Sequence, residues 1–115
     1  MQDLKKRTKH FALDTIELCT RISKTTSGQI LSKQLIRSAT SIGANYREAD
    51  MAHSKADFAA KISICLKEAS ETTYWLELLA ESDLGPRDKL NALHDESIEL
   101  TKILFTIRKN AKEKF

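Results

Sequence analysis

The amino-acid sequence predicts an all-α fold: a single domain over residues 1–115 that forms an antiparallel up-down-up-down four-helix bundle. The 115 residues include one Pro and three Gly, fewer turn residues than a sheet protein needs. Apolar residues recur three and four positions apart in four long segments, which is the pattern of helices that bury one face. The connections between these segments are short, and short connections favour antiparallel neighbouring helices.

Three breaks in the apolar pattern set the predicted helix boundaries. The sequence TTSG closes the first helix, and the spacing from Ser54 to Asp57 resembles a capping box at the start of the third. Pro86 favours the first position of the fourth helix, because its ring already holds the helical φ angle. The four predicted helices cover residues of about 3–24, 30–51, 54–81 and 86–112.

Each predicted helix has an apolar stripe that we expect to face one common core. In the first helix the stripe contains Leu4, Phe11, Leu18 and Ile22, with Ala12, Ile16 and Cys19 beside it. Cys19 and Cys65 both occupy core-type positions. We therefore expect two reduced, buried thiols rather than a disulfide or a redox site.

A second apolar patch lies on the third helix. Ile64, Trp75 and Leu78 fall on the side away from the predicted core, if each residue turns the helix by about 100°. A monomer would leave such a patch exposed to water. The sequence therefore predicts a homo-oligomer in which this patch contacts a neighbouring subunit, unless the bundle is loose enough to half-bury the three side chains at the helix flank. Ile98 and Phe105 form a smaller patch on the fourth helix.

Small and polar residues line one side of the second helix, around the segment SIGANYREA. This polar seam consists of Arg37, Ser38, Ser41, Asn45, Arg47 and Glu48. A solvated face would more naturally be built from Lys, Glu and Gln, and that face is the alternative. We expect a partly buried hydrogen-bonding seam that meets a neighbouring helix, in the same chain or in another, because buried polar groups need partners.

Basic residues cluster at both ends of the chain. The candidates for phosphate contacts are Lys5, Lys6, Arg7, Lys9, Arg108, Lys109, Lys112 and Lys114. In an up-down-up-down bundle, the start of the first helix and the end of the fourth lie at the same end, so both clusters should meet there. Lysines at a helix N-terminus also oppose the helix dipole. The pattern predicts shape- or backbone-driven binding of RNA or DNA, with ordinary solubility charge as the alternative.

The sequence offers little support for catalysis or for a bound metal. A bundle di-iron site needs Glu-x-x-His on two helices, and the nearest match is Asp50 with His53. Glu48 with Arg37 or Arg47 could serve acid–base chemistry, but a structural ion pair is the commoner arrangement. We predict no enzyme, no catalytic residue, no cofactor and no metal site. With no apolar run long enough to cross a bilayer and no signal-peptide pattern, the expected location is the cytoplasm.

Helices two and three resemble a known family. The segments that carry the resemblance are RSATSIGANYREA at residues 37–49, SKADF at 54–58, CLKEASET at 65–72 and WLELL at 75–79. They resemble the bacterial four helix bundle proteins, or 23S rRNA intervening sequence proteins, first found as reading frames in intervening sequences of large-subunit ribosomal RNA genes. The matching positions are Ser41, Ile42, Asn45, Glu48, Ser54, Asp57, Phe58 and Glu71. The chain departs from the family pattern at Ala49, where many members have Gly.

The resemblance implies a four-helix fold that assembles as a ring-like homopentamer. It also implies kinship with the accessory variability determinant of diversity-generating retroelements, which is similar in fold and partners a reverse transcriptase and nucleic acid. Most family members have no established activity. The expected function is therefore that of a non-catalytic oligomeric binding or scaffold protein, with a reverse transcriptase as a candidate protein partner. The alternative is a pure protein–protein interaction module without nucleic-acid contact.

Overall fold

Four α-helices pack side by side in the computed structural model, which describes residues 3–113. They are α1 Leu4–Cys19, α2 Thr26–Asp50, α3 Lys55–Glu81 and α4 Arg87–Glu113. Each helix packs against its neighbours along the chain, and α1 also packs against α4. This is the up-down-up-down four-helix bundle that the sequence predicts, and it measures 47 × 21 × 20 Å.

The predicted boundary between the first two helices is wrong. α1 ends at Cys19 and α2 begins at Thr26, each several residues before its predicted position. The sequence TTSG opens α2 instead of closing α1, because the Thr25 side chain caps the helix by accepting a hydrogen bond from the Gly28 N–H at 3.2 Å. Glycine is required at position 28, since a Cβ there would lie 2.0 Å from the Ser23 carbonyl oxygen.

The starts of α3 and α4 agree closely with the sequence pattern. The Ser54 hydroxyl accepts a hydrogen bond from the Asp57 N–H at 3.0 Å, which caps α3. α4 begins at Arg87, directly after Pro86, and the Pro86 carbonyl accepts from the Leu90 N–H at 3.0 Å. Local capping chemistry therefore determines both starts.

The α1–α2 and α3–α4 connections contact each other at one end of the bundle. The Ser23 N–H donates to the Leu84 carbonyl at 2.8 Å. Gly85 lies against Ile22, because a Cβ at Gly85 would be 2.7 Å from the Ile22 Cδ1. Asp83 has a left-handed φ of 55° just after α3, which helps the chain reverse direction in a few residues. These contacts join the two helical hairpins.

One apolar core runs between the four helices. Its largest fully buried apolar side chains are Phe11, Leu35, Ile42, Ile62, Leu76, Leu79, Leu90, Leu100 and Leu104. The core also buries Thr8 and Thr15 of α1, whose hydroxyls donate to the carbonyls of Leu4 and Phe11, each at 2.8 Å. Ile16, which we expected beside the core, is 45% exposed instead, because Thr15 takes the inward position next to it.

Replacing Leu35 with Ala should lower the free energy of unfolding by about 2–5 kcal/mol, because truncation leaves a cavity in a fully enclosed part of the core. Lys33→Ala is the control, since Lys33 is exposed on the same helix. Its truncation should change stability by less than about 0.5 kcal/mol. Denaturant unfolding followed by far-UV circular dichroism measures both, and equal losses would contradict the assigned core.

Candidate functional site

The polar seam of α2 packs along α3. Ser38 is fully buried, and the Thr72 hydroxyl of α3 donates to the Ser38 Oγ at 2.8 Å. The Ser38 hydroxyl is also 3.3 Å from the Leu35 carbonyl, to which it donates. The Thr72 hydroxyl is also 2.8 Å from the Glu68 carbonyl of its own helix, and its single proton is donated to one of these two oxygens at a time. Both buried hydroxyls therefore have hydrogen-bond partners inside the contact between α2 and α3.

Arg37 connects the seam to two glutamates of α3. Its Nη1 lies 3.2 Å from the Glu68 Oε2, and its Nη2 pairs with Glu71. Glu68 is only 8% exposed, so removal of Arg37 would leave a carboxylate unpaired in apolar surroundings. Farther along the seam, the Glu48 Oε1 lies 3.6 Å from the Lys61 Nζ. This second pair is more exposed, and such pairs contribute little to stability.

The middle of the seam bonds to its own helix. The Ser41 hydroxyl donates to the Arg37 carbonyl at 2.6 Å, and the Asn45 Nδ2 donates to the Ser41 carbonyl at 2.8 Å. On another side of α2, Gly43 lies against α1, because a Cβ at Gly43 would be 3.0 Å from the Thr8 Oγ1. The segment SIGANYREA therefore has a small residue where a larger one would collide with a neighbouring helix.

Two of the predicted phosphate-binding residues form ion pairs within the chain. The Lys5 Nζ lies 2.7 Å from the Asp50 Oδ2, and this hydrogen bond raises the pKa of Lys5. Arg7 binds Glu96 through its Nε and its Nη2, each at 2.7 Å, in bidentate geometry. These contacts join α1 to α2 and to α4, and the carboxylates of the protein itself partly neutralise both cations.

The other basic candidates form two separate groups. Lys6 and Lys9 are exposed on α1, and Lys109 is exposed on α4. Arg108 is half-buried, and its Nε is enclosed without a hydrogen-bond partner among the described residues. Arg7 of α1 reaches α4 at Glu96, twelve residues before Arg108. The α4 group therefore lies about 18 Å farther along the bundle, rather than beside the α1 group as expected.

The end of the bundle with the α1 cations also carries a residue of the polar seam. Arg47 is exposed near the end of α2. Its positive charge lowers the pKa of Lys5, but the hydrogen bond with Asp50 raises that pKa by more. Two further candidates cannot be placed in either group, because Lys114 and the side chain of Lys112 lie outside the described residues.

The predicted oligomer patch is only partly on the surface. Ile64 is 40% exposed, whereas Trp75 and Leu78 are half-buried at the flank of α3. Trp75 packs against the core, and its ring nitrogen is enclosed without a hydrogen-bond partner in the described part of the chain. Trp75 and Leu78 are therefore half-buried at the helix flank within one chain, which is the alternative to the predicted subunit contact.

Large apolar side chains are exposed on every helix. They are Leu13 and Ile16 on α1, Ile30 on α2, Ile64 and Tyr74 on α3, and Phe105 on α4, with Met51 just after α2. The sequence pattern identified Ile64 and Phe105 but not Tyr74, which lies between two residues that do pack inward. The exposed fraction of Tyr74, 53%, is larger than that of Ile64.

Titratable side chains also connect α3 with α4. The His94 Nε2 lies 2.9 Å from the Glu77 Oε2 and joins α4 to α3. Burial raises the pKa of Cys65 to about 12, so its thiol stays protonated. Over the described residues, no group of three or more His, Cys, Asp or Glu could hold a metal ion. In the same part of the chain, the helices are too short or too polar to cross a membrane.

A groove of about 600 Å³ runs between α1 and α4. The bidentate pair of Arg7 and Glu96 lines it, together with Lys6 and the buried side chains of Phe11 and Leu93. Ligand pockets are usually enclosed and mostly apolar, with few polar groups. This groove is partly open to solvent and has charged side chains beside its apolar ones.

Comparisons connect the chain with known proteins. The family model described as "23S rRNA-intervening sequence protein" matches residues 2–106, which include α1 to α3 and most of α4. A crystal structure of a protein of unknown function from Bacteroides thetaiotaomicron, of the S23 ribosomal protein family, is similar to this chain. Its sequence identity is 41% and its TM-score 0.86, over 93% of this chain and 99% of that chain. None of the curated proteins matches.

A double-mutant cycle should detect the Ser38–Thr72 hydrogen bond. Thr72→Val keeps the side-chain shape but removes the hydroxyl, and we expect it to lower the free energy of unfolding by about 1–3 kcal/mol. In the Ser38→Ala background the loss should be smaller by about 1 kcal/mol. Thr106→Val is the control, because the exposed Thr106 hydroxyl bonds only to its own helix at the Lys102 carbonyl. Additive losses in urea unfolding would contradict the bond.

Proposed function

This chain belongs to the 23S rRNA-intervening sequence protein family, and on that premise we propose that it is a non-catalytic oligomeric scaffold that binds other macromolecules. The proposed assembly is a cytoplasmic homopentamer. Its proposed ligand is RNA or DNA, held mainly through phosphates rather than through base sequence. Large apolar side chains left exposed on the subunit, among them Leu13 and Ile16 on α1 and Ile64 on α3, are the observation that carries this proposal.

Exposed apolar surface supports the assembly. Single exposed apolar residues are ordinary on a monomer, whereas contiguous ones mark an interaction surface. Leu13 and Ile16 are three residues apart and are therefore neighbours on the outer side of α1. In a closed ring, each subunit presents two different patches that meet between adjacent copies. Ile64 on α3 would belong to one of these patches. The number of five subunits comes from the family resemblance.

Exposed cations support nucleic-acid binding. Lys6 and Lys9 on α1, Arg47 on α2 and Lys109 on α4 are exposed, and the chain has a formal net charge of +3. A ring would repeat these cations in every subunit. Phosphate contacts would then add across the assembly and make binding strongly dependent on salt.

A pure protein–protein interaction module is the second candidate. The same apolar residues would dock a protein without any nucleic acid, and the family resemblance suggests a reverse transcriptase as that protein. The ion pairs of Lys5 with Asp50 and of Arg7 with Glu96 favour this candidate, because two predicted phosphate contacts are already neutralised within the chain.

Light scattering tests the assembly. The wild-type protein should scatter as five subunits, well above the 13.0 kDa of one chain. Ile64→Glu should dissociate the assembly with little loss of helicity, because Ile64 is 40% exposed in the subunit. Ser27→Glu is the control, since it adds the same charge at an exposed position near the start of α2. A 13.0 kDa wild-type species at micromolar concentration would contradict the oligomer.

A salt titration separates the two candidates. Single- and double-stranded oligonucleotides should bind at low salt and dissociate as the salt concentration rises. The double variant Lys6→Gln, Lys9→Gln should reduce the slope of log affinity against log salt by about 0.7–0.9 for each lost phosphate contact. The double variant Lys24→Gln, Lys89→Gln removes the same two charges from exposed positions at the opposite end of the bundle and should leave the slope unchanged. If no oligonucleotide binds at low salt, the protein-only candidate replaces this proposal.

A further inference from the structure

Aromatic and basic side chains share the outer surface beside the α3–α4 contact. Tyr74 of α3 is 53% exposed and Phe105 of α4 is 56% exposed. Lys67 of α3 and both Lys102 and Lys109 of α4 are exposed as well. We refer to these five residues as the aromatic–lysine face, and none of them belongs to the polar seam of α2.

Helical spacing aligns the members of this face within each helix. On α4, Phe105 lies three residues after Lys102 and four before Lys109, so the three side chains are neighbours on one side of the helix. On α3, Lys67 precedes Tyr74 by seven residues, or about two turns, and both lie on the same side. Aromatic rings and lysines are therefore neighbours on the surface of each of the two helices.

One contact sets the register between the two helices. The Thr73 Oγ1 and the Ser97 Oγ lie 2.8 Å apart across the α3–α4 contact. The two helices are antiparallel, so the residue after Thr73 and the residue after Ser97 both face the same outer side of the bundle. Tyr74 is the residue after Thr73. Phe105 lies eight residues beyond Ser97 in the opposite direction. The two rings are therefore about 13 Å apart along the bundle, with two of the lysines between them.

We propose that the aromatic–lysine face binds single-stranded nucleic acid, with bases stacked on Tyr74 and Phe105 and phosphates held by the lysines. This inference rests on the nucleic-acid binding proposed above and adds the type of strand and the residues that hold it. Charge complementarity identifies the occupant. The lysines match the phosphates of a nucleic acid, and the two exposed rings between and beside them match its flat bases. Stacking of this kind tolerates any base, which agrees with binding that does not read sequence.

The distance between the rings favours an unpaired strand over a duplex. In a duplex the bases stack on each other in 3.4 Å steps, and their faces are covered. A single strand can turn individual bases outward onto separate aromatic side chains. Rings about 13 Å apart would accept bases that are not adjacent in a stack.

Two of the carboxylates near this face contact other side chains. Glu77 pairs with His94 at 2.9 Å, and Glu99 lies 3.7 Å from Lys102. The second pair is exposed and joins two residues of one helix, so its contribution is small and a phosphate can replace the carboxylate. The Glu99 carboxylate would therefore oppose a strand only weakly, and Glu77 and the exposed Glu81 lie beyond Tyr74, on the side away from the lysines.

Two probes separate base stacking from phosphate contact: a fluorescein-labelled oligo(dT) and an abasic strand with the same number of phosphates. Fluorescence anisotropy should show that the wild-type protein prefers oligo(dT). Tyr74→Leu and Phe105→Leu should each weaken oligo(dT) binding at least about fivefold and leave abasic binding unchanged. Asn91→Leu, which places the same leucine at an exposed position of α4 outside this face, is the control and should bind as the wild type does. Oligo(dT) with 5-bromodeoxyuridine should crosslink to Tyr74 under ultraviolet light.

The outcomes are distinguishable. If the wild type binds neither strand at low salt, the proposed nucleic-acid function fails together with this inference. If it binds both strands equally, or if both Leu variants bind oligo(dT) normally, only the stacking inference is overturned. A drop in light-scattering mass for Tyr74→Leu, with helicity retained by circular dichroism, would instead assign the face to contact between copies of this chain and would also overturn it.

Discussion

The buried hydrogen bond between Ser38 and Thr72 is the contact on which the rest of the structure depends. It fixes the position of α2 relative to α3 at the point where Ser38 and Thr72 meet. The Arg37–Glu68 pair beside it reinforces this register, because a shift of α3 would leave a nearly buried carboxylate without its counter-charge. Once aligned, α2 and α3 together present the buried side chains against which the apolar stripes of α1 and α4 pack.

This alignment also divides the outer surface of α3 into two parts. Ile64 lies seven residues before Glu71, which contacts Arg37 of α2, so Ile64 faces outward on the α2 side. Tyr74 follows Thr73, which contacts α4, and faces outward on the α4 side. The proposed assembly and the proposed strand binding would therefore use different parts of one helix, and a ring would leave each subunit with its own aromatic–lysine face.

The periodic apolar pattern was sufficient to predict the number and order of the helices, but not the first connection. Thr, Ser and Gly can end a helix or begin one, and here the choice depends on the Ser23 carbonyl, which leaves no space for a Cβ at Gly28. Glu68 was missed because a helical glutamate is usually solvated, although its spacing from Cys65 and Thr72 placed it on the core stripe. The ion pairs of Lys5 and Arg7 depend on how far neighbouring helices are shifted along each other, and the periodic pattern of one helix does not predict that shift.

The hydrogen bond from Ser23 to Leu84 gives the bundle a preferred direction of opening. It ties two interhelical connections together at one end. The opposite end has a single connection, between α2 and α3, and there α4 extends beyond its ion pair with α1. Proteins open locally where the fewest contacts must break, so the helices should separate first at the end that carries Lys6 and Lys9. Opening there must break the ion pairs of Lys5 with Asp50 and of Arg7 with Glu96, while the tied end keeps the four helices together.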